Sequence, residues 1–160
     1  MIPHDAIMKS VLALYDEAYT GGSSWFTDGD ERSGFPGLLA GVSAEQASRP
    51  LAGGGGLTAA SHAGHVDYYL SLALRIVSGE KPYPAADWSG SWATRTVTEA
   101  EWQALVLRIG ERAAAIRKVL DSPAPFGDEA FFTGCLALVC HGAWHLGALR
   151  QALGLITAPA

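Results

Sequence analysis

Between Gly134 and Leu155 the chain is almost wholly apolar, and His141 and His145 are set into that stretch four residues apart. On a helix this spacing puts two side chains about 40° apart around the axis, one turn above the other. Both imidazoles can then approach one divalent ion from the same side. The only other strongly polar side chains in the stretch are Arg150 and Gln151. A buried imidazole pair needs polar partners, and a transition metal is an efficient one. The competing reading is a pair satisfied by backbone carbonyls or water. The stretch is also long enough to raise the question of a membrane span. Two histidines, an arginine and a glutamine would be costly in lipid, so a buried helix of a bundle is expected, with no membrane partner.

The 160 residues are most simply one domain, 1–160. Hydrophobic residues make up 49% and charged residues 17%, enough for a filled core and too apolar for disorder. A net charge of -5 and the lack of a Lys/Arg cluster argue against nucleic acid as a partner. The longest positive grouping is Arg108, Arg112, Arg117 and Lys118, interrupted by Glu111, which reads as a solvated helix face. Met1 to Lys9 lacks a signal-peptide pattern. Cys135 and Cys140 are five apart on one helix, point in divergent directions and do not bridge each other. Two reduced thiols acting as small core residues indicate a cytoplasmic protein.

Hydrophobic periodicity marks four helical segments, with no convincing strand between them. The first runs from about Pro3 to Tyr19 and stops at Gly21-Gly22. A glycine-rich stretch follows to Gly56, with short helices expected around Phe35 to Gly41 and at Ser43 to Gln46, the latter capped by Ser43. Gly53 to Gly56 reads as a flexible linker, because a P-loop would need a Lys-Ser/Thr after it. The second helix spans about Thr58 to Ser78. An aromatic-rich loop, Pro82 to Trp92, leads to the capping box Thr98-Glu99-Ala100-Glu101 and a third helix from Glu99 to Leu120. The fourth runs from about Asp128 to Leu153, with Gly154 as its expected stop. This order predicts an all-α, four-helix bundle with long connections after the first and second helices.

A metal site of this type needs three or four protein ligands, and an open position where the site is catalytic. His4, His62 and His65 remain to supply the third. Counting about 100° per residue places His62 roughly 65° from the centre of the second helix's apolar stripe and His65 roughly 125° away. His62 is therefore the favoured third ligand, and His65 the second choice, or a supporting or substrate-facing group. His4, near the terminus, is expected in solvent. Trp88, Trp92, Tyr68 and Trp144 are candidates for the surrounding pocket, with ordinary packing as the alternative.

The chain resembles the DinB/YfiT-like superfamily of metal-binding four-helix bundles. The resemblance rests on His62 opening the second helix in Ala-Ala-Ser-His-Ala-Gly-His-Val-Asp-Tyr-Tyr-Leu, and on His141-Gly-Ala-Trp-His145-Leu-Gly-Ala-Leu-Arg-Gln, similar to a His-x-x-x-His-x-Gly pattern with a basic residue soon after. Helix order and loop placement agree over roughly residues 5 to 155. The resemblance implies a zinc or nickel site on His62, His141 and His145, and a homodimer. It also implies a metal-dependent enzyme acting on a small-molecule substrate, foremost a bacillithiol- or mycothiol-type S-transferase. A metal-dependent hydrolase and a non-catalytic, stress-related metal-binding bundle are the alternatives. The sequence singles out no catalytic residue beyond the ligands.

Overall fold

The structure is a computed structural model that describes residues 3–22, 24–27, 33–122 and 129–157; the side chains of His4 and of residues 155–157 lie outside this set. The expectation that His4 faces solvent therefore falls outside the described residues, as does the helix start expected at Asp128. The described residues are all-helical, with six α-helices, two 3₁₀ turns and no strand.

Helix α1, His4–Tyr19, buries Met8, Val11, Tyr15, Ala18 and Tyr19. Its Glu17 is fully buried, which the apolar pattern of the helix does not signal. The carboxylate accepts hydrogen bonds from the backbone N–H groups of Trp25, Phe26 and Thr27 at 2.8, 2.7 and 2.6 Å, and from the Thr27 hydroxyl at 2.9 Å. Burial pushes its pKa up, but these hydrogen bonds outweigh it and hold the carboxyl below its usual value. The chain leaving α1 is thereby tied back to it.

Two short helices follow, α2 (Phe35–Ala40) and α3 (Ala44–Ala47), the second closed by a Ser43–Gln46 capping box. Gly34 is required where it stands: a Cβ there would meet the backbone N of Gly21 at 2.5 Å. The glycine run at 53–56 is not a loose linker. Leu51 N–H donates to Leu57 O at 2.8 Å beside an isolated Pro50–Thr58 bridge, so the run forms a closed turn. Gly53, Gly55 and Gly56 take φ of 72°, 58° and 83°, values that few other residues adopt.

Helix α4, Ala59–Val77, begins at a Thr58–Ser61 capping box. The same two side chains hold the far end of the second connection, Thr58 Oγ1 donating to Arg95 O at 3.0 Å and Ser61 Oγ to Thr94 O at 2.7 Å. Helix α5, Glu99–Leu120, has the expected bounds and buries Trp102, Leu105, Ile109, Ala113, Ile116 and Leu120. Its arginines are not merely solvated. Arg117 makes a bidentate pair with Asp16 of α1 at 2.8 and 2.9 Å, and Arg112 pairs with Asp67 of α4 at 2.7 Å.

Helix α6, Glu129–Thr157, passes through Gly154 instead of ending there. A glycine inside a helix costs only about 1 kcal/mol, too little to end one whose apolar side is already packed. By length and composition alone α6 could cross a membrane. Its inner side buries Cys135, Leu138, Val139, His145, Leu146, Leu149 and Leu153. Among the long helices, contacts run between α4 and α5, α1 and α6, α1 and α5, and α4 and α6, so each packs on two others. The start of α4 thereby meets the middle of α6, where the histidines are.

Candidate metal centre

Four imidazoles converge between α4 and α6. His62 and His65 occupy the first turns of α4, and His141 and His145 stand one turn apart on α6 with ring centroids 4.5 Å apart. Among the described residues one set of three could hold a metal ion: His65, His141 and His145 each offer a nitrogen, and these nitrogens all lie within 4.8 Å of one another. Within the set, His141 Nε2 stands 3.2 Å from His65 Nε2. His62 stands at the edge, its Nδ1 3.0 Å from Nδ1 of His145. The structure thus gathers both histidines of α4 around the α6 pair, and the three-nitrogen set takes His65 where the sequence favours His62.

The reason lies in what covers α4. Angular position on the helix sets His65 far from the stripe that faces other helices, yet it is only 7% exposed, like His62 at 6%. Beside the α6 histidines, the second connection supplies its cover. The 3₁₀ turn Gly90–Trp92 lays the Trp92 ring against the His65 ring, with centroids 4.0 Å apart and planes within 16°. Ser91 Oγ lies 2.7 Å from His65 Nδ1. A helical-wheel argument counts only helix–helix burial and so misses this cover.

The inner side of α6 is built to let the pair approach. A Cβ on Gly142 would meet the Tyr19 ring at 2.8 Å, so the glycine between the two histidines lets α1 pack closely against α6. Tyr69, one turn beyond His65 on α4, stacks on His141 with centroids 3.9 Å apart. Tyr69 is not marked as a site residue by the apolar stripe; its spacing of four from His65 is the signal the sequence holds. Among the four aromatic candidates, Trp92 packs on His62 and His65, and Trp144, itself 61% exposed, stacks on His62 at 6.0 Å. Trp88 lies 6.3 Å from His65. Tyr68 instead holds the loop, its hydroxyl accepting from Asp87 N–H at 2.8 Å. Tyr69 also lines a largely apolar cavity of about 560 Å³, with Val77, Tyr83, Ile116, Phe131 and Leu138 among its other walls.

Burial sets the electrostatics. It lowers the pKa of His65 to about 4, helped by His62, and that of His141 to about 4, helped by His65. His145 is pushed down to about 2, first by burial and then by His141, His62 and His65. Burial also lowers His62. All four rings are therefore neutral at pH 7, the form in which imidazole ligates metal.

The donor set fits a divalent ion. Nitrogens tetrahedrally arranged on zinc stand roughly 3.4 Å apart, and the His65–His141 contact already has that separation. His141 Nδ1 is buried and finds no hydrogen-bond partner among the described residues, while Nε2 of the same ring meets His65 Nε2. Compared with known protein families, with curated proteins and with solved structures, the chain finds no match.

Proposed function

We propose that this protein is a metal-dependent enzyme of the DinB/YfiT-like kind, its four long helices forming that bundle. His65, His141 and His145 hold zinc or nickel, and a small thiol is the activated substrate. The observation that carries the reading is a set of three imidazoles, His65 and His145 buried and His141 half-buried, whose nitrogens lie within 4.8 Å of one another. Neutral ligands leave the ion its full charge, and such an ion lowers the pKa of a thiol or water so that thiolate or hydroxide is available near neutral pH. The chain's own residues do the rest. The three rings stay unprotonated because they are buried, and Trp92 and Tyr69 cover two of them and limit the access of water. The apolar cavity that Tyr69 also lines suits the apolar arm of an electrophile. S-transfer from a bacillithiol- or mycothiol-type thiol is the reaction class, in a cytoplasmic homodimer.

Elemental analysis after reconstitution tests the centre: near-stoichiometric metal in the wild type, lost in His65→Ala and His145→Ala, is expected. A wild type that takes up no metal would end the reading. With metal bound, a thiol panel with monochlorobimane tests the chemistry. Turnover that requires both thiol and metal supports transfer. Turnover of esters or amides without thiol would replace it with metal-dependent hydrolysis, and inactivity with every substrate would favour a non-catalytic metal-binding protein.

A further inference from the structure

Ser91 sits outside the histidine cluster, yet its hydroxyl controls one of the rings. The side chain makes two short contacts: Oγ donates to the backbone O of Trp88 at 2.6 Å, and Oγ lies 2.7 Å from His65 Nδ1. A serine hydroxyl has one proton. A carbonyl oxygen can only accept, so that proton is committed to Trp88. Towards His65 the oxygen must then accept, and Nδ1 must carry the hydrogen. A neutral imidazole has one N–H, so Nε2 of His65 is left with its lone pair. Nε2 is the atom that faces His141 Nε2 at 3.2 Å, inside the cluster.

We propose that Ser91 is a positioning residue that fixes His65 in its Nδ1–H tautomer, turning Nε2 inward as a metal ligand. The inference rests on the metal reading above and deepens it, because it names what makes His65 a ligand. The hold is rigid, since the turn carrying Ser91 is itself anchored. Gly90 N–H donates to Asp87 Oδ1 at 2.8 Å, Ser91 N–H to Asp87 O at 3.1 Å, and Asp87 N–H to the Tyr68 hydroxyl at 2.8 Å. His62 has no equivalent constraint from this turn; its polar contact is Nδ1 to Nδ1 with His145. A hydrogen-bond partner on the far nitrogen is the usual companion of a metal-bound histidine, and its removal commonly weakens metal binding about 10–100-fold.

The test uses the full-length protein in two states. In the metal-free protein, long-range proton–nitrogen correlation spectra of the histidine rings read the His65 tautomer directly, with His65→Ala giving the assignment. Wild type should show the Nδ1–H form, Ser91→Ala a mixture with the Nε2–H form, and Ser91→Thr, which keeps the hydroxyl, the wild-type pattern. In zinc titrations against a competing chelator, Ser91→Ala should bind about 10–100-fold more weakly, with Ser91→Thr restoring most of the loss. An Nε2–H His65 in the wild type would overturn the proposal. So would a Ser91→Ala protein, folded by circular dichroism, with unchanged tautomer and zinc affinity. If the tautomer responds as expected but wild type binds no zinc, Ser91's hold on His65 stands and the metal reading falls.

Discussion

The two sides of the cluster reach the same point by different means. On α6, His141 and His145 converge because helical geometry alone puts residues four apart on one face, and Gly142 between them lets Tyr19 pack close. On α4, His65 is brought in by a loop: the turn Gly90–Trp92 folds over a face that would otherwise meet water, stacks Trp92 on the ring and sets Ser91 against its nitrogen. One side is placed by local periodicity, the other by contacts between residues about 26 positions apart. The contrast shows that a histidine's angle on its helix predicts its burial only where another helix supplies the cover.

The largest effect that would break this comparison concerns the α4 ligand. His65→Ala and His145→Ala should lose metal altogether, whereas His62→Ala should keep it with an affinity about 10–100-fold weaker, as expected for a residue that supports a ligand. Calorimetric zinc titration of the three variants decides it. Retention in His65→Ala with loss in His62→Ala would restore the ligand favoured by helical angle.

The next effect follows from protonation of the metal-free protein. A buried imidazole with a lowered pKa binds its proton less readily folded than unfolded, so stability falls as pH drops below about 6.5 and continues falling through about 4, while remaining flat above about 7. For His65 the loss is on the order of 3 kcal/mol. Urea melts between pH 4 and 8 should show the decline, and His65→Gln should make it shallower while the other buried imidazoles still contribute. A stability independent of pH across that range would mean that the rings are not buried as described.

Helix α6 offers its own control. Gly142→Ala drives a Cβ into the Tyr19 ring and should destabilise the fold by about 1–3 kcal/mol. Gly147→Ala, five residues along on the same helix, meets nothing within 4 Å and should stabilise it by about 0.5–1 kcal/mol. Equal effects in chemical denaturation would show that α1 does not press on α6 at the histidine pair. The smallest change should come from Arg117→Ala. It removes a partly exposed pair with Asp16, so less than about 1 kcal/mol is expected, and less again in high salt.

Much of the helical framework is legible without coordinates. The bounds of α5 follow from the Thr98–Glu101 capping box and the spacing of Trp102, Leu105, Ile109 and Ala113, all of it local information. The Ser43 cap is equally local. Where reading from sequence diverges from the structure, a longer-range contact intervenes. Gly154 reads as a stop because glycine weakens helices, yet α6 runs on to Thr157. Gly53 to Gly56 reads as slack, yet the Leu51–Leu57 hydrogen bond closes it into a turn. Arg112 and Arg117 read as solvated, yet carboxylates on α4 and α1 meet them. Glu17 gives no local sign that three backbone amides of the following segment will bury it.

The amino-acid sequence by itself determined that the chain is helical, where its long helices run, and that two histidines on the last of them share a face. These properties depend on residues within a turn or two of each other. Only the tertiary structure decided that His65 of α4 joins that pair in a set of three nitrogens within 4.8 Å of one another. That choice depends on Ser91 and Trp92 crossing from another segment to cover His65, and on the single proton of a serine hydroxyl being spent on Trp88 O.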